Sequence, residues 1–367
     1  MNTISVETLR TWLEEGRAVS IVDVRPKTER QEWAIPGSFH LDAYEALKAH
    51  DPEALVSLAL PTDRPVVTVC AAGKTSQIAA SQLCTRGFQA LSLEGGMKAW
   101  SLAWNTAVVS VPDGMAGVLQ IRRTGKGCLS YLIGAGDQAT VIDASLDPDI
   151  YLQLAKTCGW RITHVLDTHI HADHLSRARQ LAQASGAHLL LPHQERVQFP
   201  FRALRDGDTL SLGPVSLTAL HTPGHTLESA CYLLNHTLLF TGDTLFPTGV
   251  GRPDLEANAQ ETRAHATALY HSLHRLLALP PETIVLPGHS STPIAFDGVP
   301  VLTTMAEAQA QRSVLQQTQE EFIQSLLARI PPTPPNYQHI VRLNELGQSP
   351  ERDVTELEAG ANRCAIQ

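Results

Sequence analysis

The sequence predicts two successive α/β units, a small parallel sheet with helices followed by a two-sheet sandwich covered by helices. Three observations predict this division. Short apolar runs alternate with helical patterns over residues 1–104. Many strand patterns, separated by turns rich in Gly and Asp, fill residues 115–300. Directly after one of these strand patterns, three histidines and one aspartate fall within the six positions from His169 to His174.

The first unit is predicted from its alternating elements. Ser5 is suited to cap a helix whose apolar residues Val6, Leu9 and Leu13 recur at helical spacing. Apolar runs rich in β-branched residues then predict buried strands, and the segment after the second run predicts a helix. The predicted strands are 19–24, 65–69 and 91–93, and the predicted helix is 77–85.

Composition and charge exclude several classes of function. The chain has 367 residues, 43% of them hydrophobic, and a formal net charge of −9, which suits a globular protein. The negative charge and the lack of a basic run argue against binding to nucleic acid or to an anionic membrane. Six cysteines without a CxxC pair indicate thiols in a reducing compartment. Because no secretory signal or membrane-span pattern is found, we predict a cytoplasmic protein.

Changes in pattern divide the chain into four predicted parts. They are a first domain at 1–104, a linker at 105–114, a second domain at 115–300 and a C-terminal helix with a proline-rich tail at 301–367. Apolar residues at helical spacing predict one long helix from Met305 to Ile330, stopped by the run from Pro331 to Pro335. This helix could pack on its own domain, on the first domain or on a second subunit, which leaves a homo-oligomer open.

Cys70 lies where a predicted strand runs into a loop that opens a helix. Backbone N–H groups, the helix N-terminus and Lys74 favour a thiolate at this position. Gly73 lets the loop curl without a Cβ clash, and Thr75 and Ser76 complete the segment. A buried structural cysteine is the alternative, but this loop suits an anionic sulfur, including a persulfide on Cys70.

Four motifs in this unit resemble a rhodanese (sulfurtransferase) domain over residues 5–104. The motifs are Asp23-Val24-Arg25, Ile35-Pro36-Gly37-Ser38, Cys70-x-x-Gly73-x-x-Ser76 and Glu94-Gly95-Gly96-x-x-Ala99-Trp100. The resemblance implies that Cys70 carries sulfane sulfur and that its loop has the length associated with sulfur substrates. Ala71 and Thr75 stand where many members have arginine, which leaves the preferred sulfur donor open.

The histidine-rich segment follows the predicted strand 162–166, and three later segments each place one further ligand-type residue at a strand end or turn. Imidazole and carboxylate at this density are typical of a metal site, whereas a polar surface loop explains one histidine better than this set. The segments are His169-x-His171-x-Asp173-His174, Thr222-Pro223-Gly224-His225-Thr226, Thr241-Gly242-Asp243 and Pro287-Gly288-His289.

Together these segments resemble the signature of the metallo-β-lactamase superfamily, over residues 117–292. The resemblance implies an αββα sandwich with metal at one edge of the two sheets. Within the superfamily the chain is most similar to the persulfide dioxygenases and next most similar to glyoxalase II. Its Gly-Arg-x-Asp turn resembles that of the dioxygenases, whose arginine, here Arg252, helps to hold the glutathione part of the substrate. Thr226 is a second predicted substrate contact.

The resemblance implies a reaction and a set of ligands. His169, His225 and Asp243 correspond to the ligands of one Fe(II) per chain, the facial triad of non-haem iron oxygenases. This site is expected to oxidise glutathione persulfide, or a similar small persulfide, with O2 to sulfite and thiol. Cys70 is expected to exchange sulfane sulfur with thiosulfate or sulfite. The remaining ligand-type residues either give hydrogen-bonding support or hold a second metal: His171, Asp173, His174 and His289.

Two other functions remain open from the sequence. One is a binuclear zinc thioester hydrolase of the glyoxalase II type, in which the rhodanese domain is a passenger. The other is a persulfide-sensing protein, which the full set of metal-ligand residues argues against. Metal identity separates the hydrolase from the dioxygenase, and Arg252 in its Gly-Arg-x-Asp turn favours the dioxygenase.

Overall fold

The first unit is built on a five-stranded sheet in which all neighbouring strands are parallel, as predicted. The structure is a computed structural model that describes residues 2–255, 257–310, 316–350, 353–360 and 362–366. The strands are β1 (Thr3–Ile4), β2 (Ser20–Asp23), β3 (Phe39–His40), β4 (Val66–Val69) and β5 (Ala90–Leu93), in the spatial order β1-β5-β4-β2-β3.

Five described helices accompany this sheet. Ser5 caps the first helix, because its side chain accepts a hydrogen bond from the Thr8 amide at 3.1 Å. Leu83 of the fourth helix shares a buried apolar cluster with Val22 and Val66 of the sheet. The helices are α1 (Val6–Glu14), α2 (Lys27–Glu32), α3 (Tyr44–Lys48), α4 (Thr75–Thr85) and α5 (Gly96–Trp100).

The second unit contains two large sheets whose inner faces share one apolar core. The rings of Tyr131 and Phe240, one from each sheet, meet edge to face with centroids 4.8 Å apart. In chain order the strands are β6 (Asn105–Val109), β7 (Gly117–Arg123), β8 (Cys128–Ala135), β9 (Gln138–Ile142), β10 (Arg161–Leu166), β11 (His188–Pro192), β12 (Arg202–Leu204), β13 (Thr209–Leu212), β14 (Val215–His221), β15 (Ala230–Leu234), β16 (Leu238–Gly242), β17 (Leu245–Phe246), β18 (Gly249–Gly251), β19 (Ile284–Pro287), β20 (Thr303–Thr304) and β21 (Ala365–Ile366). The sheet orders are β12-β11-β10-β9-β8-β7-β6, β13-β14-β15-β16-β19-β20 and, in a small third sheet, β17-β18-β21.

Helices cover the outer faces of both large sheets. Tyr151 and Leu181 from two helices pack against the seven-stranded sheet. Leu269 and Phe322 from two others pack against the six-stranded sheet. The helices are α6 (Pro148–Thr157), α7 (Ala178–Ser185), α8 (Ala259–Leu276), α9 (Met305–Ala310), α10 (Gln319–Leu327), α11 (Tyr337–Leu346) and α12 (Val354–Leu357). The layers therefore follow the order helix, sheet, sheet, helix, and the expected αββα sandwich is confirmed.

The longest helix described is α8, with 18 residues. Asn258 and Glu261 form a capping box at its first turn, which satisfies amide groups that the helix itself leaves unpaired. Leu269 and Leu273 face the core, while other faces of the helix are polar. Across the described ranges, no helix combines the length and apolar character needed to cross a membrane.

Residues 105–109, predicted as part of the linker at 105–114, form a strand instead. They form β6, which pairs antiparallel with β7 over its whole length. Ala107 and Val109 are buried whereas Val108 is 70% exposed, which is the alternation of a strand with one face on the core. The second unit therefore begins at Asn105, because this short apolar segment completes the edge of the seven-stranded sheet instead of connecting two domains.

The long helix predicted from Met305 to Ile330 is wrong as one continuous element. Thr318 has extended backbone, and its hydroxyl accepts a hydrogen bond from the Glu321 amide to cap α10. A threonine that caps the next helix cannot also continue the previous one, so the segment divides into α9 and α10. Leu315, which belonged to the predicted pattern, lies outside the described residues.

The turn between β7 and β8 holds the two units together. Trp33 is buried, and its Nε1 donates a hydrogen bond to the Thr124 carbonyl at 3.0 Å. The Gly125 amide donates to the Ala103 carbonyl at 3.2 Å. A Cβ at Gly125 would overlap the Trp100 carbonyl, so glycine lets the two backbones approach.

We predict that Trp33→Ala destabilises the protein, because it removes a buried ring and leaves the Thr124 carbonyl without its donor. The free energy of unfolding should fall by about 3 kcal/mol, as measured by urea denaturation. Trp12→Ala is the control, since Trp12 is only partly buried on α1. Equal losses in the two variants would contradict the importance of this contact.

Candidate metal centre and sulfur-carrier loop

Four ligand-type side chains meet at one edge of the sandwich, because each follows a strand that ends there. His169 follows β10, His225 follows β14, Asp243 follows β16 and His289 follows β19. Since β16 and β19 are parallel neighbours, their carboxyl ends lie side by side. All four residues are at most 3% exposed, so they form a buried polar set.

The His225 ring is fixed by the backbone. Its Nδ1 lies 2.8 Å from the Arg252 carbonyl oxygen. A carbonyl oxygen can only accept, so Nδ1 carries the ring hydrogen and Nε2 presents a lone pair. That nitrogen lies 3.5 Å from Asp243 Oδ2.

The Asp143 carboxylate and the Thr168 hydroxyl fix the tautomer of His169, as the Arg252 carbonyl fixes that of His225. The Thr168 hydroxyl donates to Asp143 Oδ2 at 2.9 Å, and the Thr168 amide donates to Oδ1 at 2.7 Å. The hydroxyl therefore accepts from His169 Nδ1 at 2.9 Å, which leaves the lone pair on Nε2. Burial lowers the pKa of His169 well below its usual value, and the neighbouring His171 lowers it further, so this ring stays neutral.

The two oxygens of Asp243 face different partners. Oδ1 lies 2.6 Å from His289 Nδ1, whereas Oδ2 lies 3.8 Å from His169 Nε2 and 3.5 Å from His225 Nε2. His169 Nε2 and Asp243 Oδ2 are buried without a hydrogen-bond partner. A metal ion about 2.1 Å from each of three ligand atoms would hold those atoms roughly 3–3.5 Å apart, close to the observed spacing. The three residues therefore fit a metal.

A second cluster of ligand atoms adjoins the first through His289. Its Nε2 lies 3.0 Å from Asp173 Oδ2, and Asp173 Oδ1 lies 2.9 Å from His174 Nδ1. Burial would lower the pKa of His289, but Asp173 and Asp243 on either side raise it well above its usual value. Cys128 lies 3.5 Å from Asp173. Burial and Asp173 raise the pKa of Cys128, yet His174 and His289 outweigh them and lower it to about 6.

His171 has a different pair of partners. Its Nε2 lies 3.3 Å from Asp143 Oδ1 and 3.8 Å from Asp167 Oδ1. Burial would lower the pKa of His171, but these two carboxylates raise it well above its usual value. His169 and His171, two positions apart, therefore belong to different clusters. The other predicted supporting residues, Asp173, His174 and His289, lie together in a cluster that does not include His171.

A cavity of about 430 Å³ opens beside the three-residue set. His225 and Thr226 line it, and its wall carries both basic and acidic side chains, namely Arg196, His265, Glu228 and Glu261. Thr226 therefore lines this cavity, and its contact with a substrate stays a prediction.

Arg252 does not line this cavity, which corrects its predicted contact with substrate. Its side chain is fully buried and pairs with Asp254 at 2.7 Å. Its Nη1 donates to the carbonyls of Pro332 and Arg363, and Nη2 also donates to the carbonyl of Pro331. Arg252 therefore holds the C-terminal part of the chain against the metal site, while its own carbonyl orients His225.

Cys70 lies between β4 and α4, with only 2% of its surface exposed. Its Sγ is 3.2 Å from the Ser76 hydroxyl. Gly73 has φ of +80° and packs too closely against the neighbouring backbone to carry a Cβ. Lys74 is exposed, and Thr75 begins α4, whose N-terminus carries the partial positive charge that favours an anion. This loop can therefore hold an anionic sulfur.

Comparison with known proteins identifies both units. Residues 123–289 match the model of the metallo-beta-lactamase superfamily, and residues 5–103 match that of the rhodanese-like domain. The mitochondrial persulfide dioxygenase ETHE1 of Bos taurus is 31% identical over 205 residues, which are 54% of this chain and 76% of that protein. The chain belongs to the metallo-beta-lactamase superfamily. It carries a rhodanese-like domain at its N-terminal side, as the motifs implied.

Other members of the superfamily are similar over a shorter span. A hydroxyacylglutathione hydrolase of Rhizobium johnstonii is 38% identical over 154 residues, which are 41% of this chain and 57% of the hydrolase. The chain described here therefore spans little more than half the length of that hydrolase. Because the relatives' names include both a dioxygenase and a hydrolase, similarity alone does not select the reaction.

Solved structures of the superfamily share the sandwich. ETHE1 of Myxococcus xanthus is 33% identical, with a TM-score of 0.55, over 63% of this chain and 98% of that chain. A metallo-beta-lactamase of Staphylococcus aureus is 25% identical, with a TM-score of 0.60, over 64% of this chain and 75% of that chain. Both agree with the αββα architecture described above.

Sequence reasoning missed several residues that surround the site. Asp143 follows β9, so a carboxylate at a strand end was the signal that could have identified it. Asn362 donates to Asp173 Oδ2 at 3.3 Å from the C-terminal segment. Cys128 reaches the same carboxylate from the start of β8. Neither Asn362 nor Cys128 lies in a recognisable motif, because distant parts of the chain bring them to the site.

We predict that His225→Ala removes most of the bound metal. Losing a partner of a ligand costs about 10–100-fold in metal affinity, so losing the ligand itself should cost roughly a hundredfold or more. Metal content after loading with Fe(II) or Zn(II) is measured by mass spectrometry. His221→Ala is the control, because His221 is exposed at the end of β14. Unchanged metal content in the His225 variant would contradict its assignment as a ligand.

Proposed function

We propose that this chain is a persulfide-oxidising enzyme with a second site for sulfur transfer. The metal centre oxidises glutathione persulfide, or a similar low-molecular-weight persulfide, with O2 to sulfite and thiol. Cys70 carries sulfane sulfur. The observation that carries the proposal is the convergence of His169 Nε2, His225 Nε2 and Asp243 Oδ2 at one edge of the sandwich.

This donor set favours one Fe(II) per chain. Two imidazoles and one carboxylate that leave positions open are the ligand set of non-haem Fe(II) oxygenases. Because Asp243 Oδ1 is bonded to His289, Oδ2 is the oxygen that would hold the metal. Asp173 and His174 then give hydrogen-bonding support through His289, and His171 braces the loop through Asp143.

The chain's own residues orient this chemistry. When bound, Fe(II) would supply the redox chemistry that joins O2 to a persulfide sulfur. His169 and His225 direct Nε2 toward the metal position, because the Thr168 hydroxyl and the Arg252 carbonyl accept hydrogen bonds from their Nδ1 atoms. The net reaction, GSSH + O2 + H2O → GSH + SO3²⁻ + 2H⁺, balances in atoms and charge.

The cavity beside His225 suits the thiol part of such a substrate. Its volume of about 430 Å³ lies within the range of small-molecule sites. The wall carries the guanidinium of Arg196 and the carboxyl groups of Glu228 and Glu261, side-chain types that can pair with the carboxylates and the ammonium group of glutathione. The names of the relatives, persulfide dioxygenase and hydroxyacylglutathione hydrolase, also support a glutathione derivative.

For the first unit we propose sulfur transfer through Cys70, with thiosulfate or sulfite as the inorganic partner. The match to the rhodanese-like model and the position of Cys70 at the N-terminus of α4 support this proposal. The concentrations of persulfide and sulfite set the direction of transfer. A cytoplasmic location remains a prediction from the sequence.

A binuclear zinc hydrolase acting on a glutathione thioester is the second candidate. The observation that favours it is the cluster of Cys128, Asp173, His174 and His289, whose ligand atoms all lie within 4.8 Å of one another. Hydroxyacylglutathione hydrolases are also among the relatives. In this candidate His289 would exchange its contact with Asp243 for a contact to a second metal.

We predict that the Fe(II)-loaded protein consumes O2 when glutathione persulfide is added and forms an equal amount of sulfite. Oxygen uptake is followed with an electrode, and sulfite is assayed in the same sample. The zinc-loaded protein is the control and should take up no O2. Hydrolysis of a hydroxyacylglutathione thioester by the zinc form, without O2 uptake by the iron form, would replace the dioxygenase by the hydrolase.

We predict that Cys70→Ser abolishes sulfur transfer from thiosulfate and leaves O2 uptake with glutathione persulfide unchanged, because the two activities use different atoms. Cys84→Ser on α4 is the matched control, since Cys84 is an exposed thiol of the same domain. Loss of both activities in the Cys70 variant, with the fold intact by circular dichroism, would show that the sites are not separable.

A further inference from the structure

The histidine-rich loop between β10 and α7, residues 167–177, has ligand-type side chains interleaved with apolar ones. The ligand-type side chains take part in the clusters described above, whereas the apolar ones are buried against α11. Val341 of α11 packs with Ile170 and Ala172, and Leu343 of α11 packs with Leu175. The loop therefore lies between the metal centre on one side and α11 on the other.

Asn344 of α11 is hydrogen-bonded to the backbone of this loop at three points. Its Nδ2 donates to the carbonyl oxygen of His171 at 2.8 Å and to that of His174 at 2.9 Å. Its Oδ1 accepts from the Ser176 amide at 2.9 Å. Both amide hydrogens of Asn344 are thus used. Because the loop has no regular secondary structure, this one side chain satisfies backbone groups that the loop itself leaves unpaired.

Two further side chains from the C-terminal segment end on the same loop. Glu358 Oε1 accepts from the Leu175 amide at 2.8 Å. Asn362 Nδ2 donates to Asp173 Oδ2 at 3.3 Å, while its Oδ1 accepts from the Cys364 amide at 3.0 Å. The Cys364 contact fixes the orientation of the Asn362 amide group, so its nitrogen faces Asp173. Asn344, Glu358 and Asn362 are called the C-terminal clamp below.

The clamped loop reaches the metal ligands through Asp173 and His289. Asp173 Oδ2 lies 3.0 Å from His289 Nε2, and His289 Nδ1 lies 2.6 Å from Asp243 Oδ1. These contacts leave Asp243 Oδ2 facing His169 and His225. A displacement of Asp173 would remove one partner of His289, and the orientation of the Asp243 carboxylate depends on that histidine.

We propose that the C-terminal clamp positions the metal centre and that Asn344 is its principal positioning residue. The inference rests on the metal centre of the proposed function and not on which reaction the metal performs. The clamp lies outside residues 123–289, which match the superfamily model, so it adds support from beyond that part of the chain. Partners that orient metal ligands typically account for about 10–100-fold in metal affinity.

The first test is Asn344→Asp in the full-length protein loaded with Co(II), whose visible absorption depends on the geometry of its ligands. The substitution keeps the size of the side chain and the acceptor for the Ser176 amide. It removes the donor to the His171 and His174 carbonyls. The Kd for Co(II) should rise about tenfold or more, and the absorption bands of the bound Co(II) should shift relative to wild type.

Gln338→Glu is the matched control, because it exchanges an amide for a carboxyl group on the exposed side of the same helix. This variant should keep the Kd and the spectrum of wild type. The spectrum also separates positioning from general support of the fold. A loss of stability reduces the amount of folded protein but leaves the spectrum of each bound Co(II) unchanged.

A second variant, Asn362→Ala, tests the clamp from the tail and leaves α11 in place. It removes the donor to Asp173. The absorption bands of the bound Co(II) should again shift, and the Kd should rise by less than in Asn344→Asp, because fewer contacts with the loop are lost. This variant decides the question if Asn344→Asp does not fold, as judged by circular dichroism.

An unchanged Co(II) spectrum in folded Asn344→Asp would overturn the inference, whether or not that variant is less stable in urea. If Asn344→Asp does not fold, an unchanged spectrum in Asn362→Ala overturns it instead. If wild type binds no Co(II), the metal centre fails and the inference fails with it. If the variants behave as expected but the iron form takes up no O2 with glutathione persulfide, the dioxygenase function fails and the inference stands.

Discussion

The metal centre depends on how one buried carboxylate, Asp243, divides its two oxygens. Oδ1 is held by His289, and Oδ2 faces the unprotonated nitrogens of His169 and His225. A buried carboxylate without partners is costly, so the His289 contact allows Asp243 to remain charged where a cation can bind. The imidazoles are oriented before any metal arrives, because the Arg252 carbonyl and the Thr168 hydroxyl fix their tautomers.

The C-terminal segment connects this centre to the rest of the molecule. Glu358 pairs with the fully buried Arg123 at 2.6 Å and accepts from the Leu175 amide at 2.8 Å, next to the histidine-rich loop. A few residues earlier, Asp353 pairs with Lys98 of the rhodanese-like unit. One short segment thus contacts both domains. The rhodanese-like unit and the metal site are therefore connected through this segment.

The sequence predicted most of the regular structure where the signal was local. Ser5 and the apolar spacing after it predicted α1, and the β-branched runs predicted β2 and β4. The predictions failed where contacts with distant parts of the chain, or a local change in backbone conformation, determine the secondary structure. Residues 105–109 read as a linker, yet pairing with β7 makes them an edge strand. The pattern after Met305 read as one helix, yet the extended backbone of Thr318 divides it.

For the site, the sequence by itself determined the chemical types of the ligands and their positions at strand ends. It did not determine which side chains share a cluster. His169 and His171 belong to one motif, but the Thr168 hydroxyl holds His169 Nδ1, whereas His171 Nε2 faces the Asp143 carboxylate. Cys70 was recognisable because its loop is local, whereas a cavity beside that loop is formed by segments far apart in the chain. Side-chain direction in a loop is set by long-range contacts, and only the tertiary structure provides them.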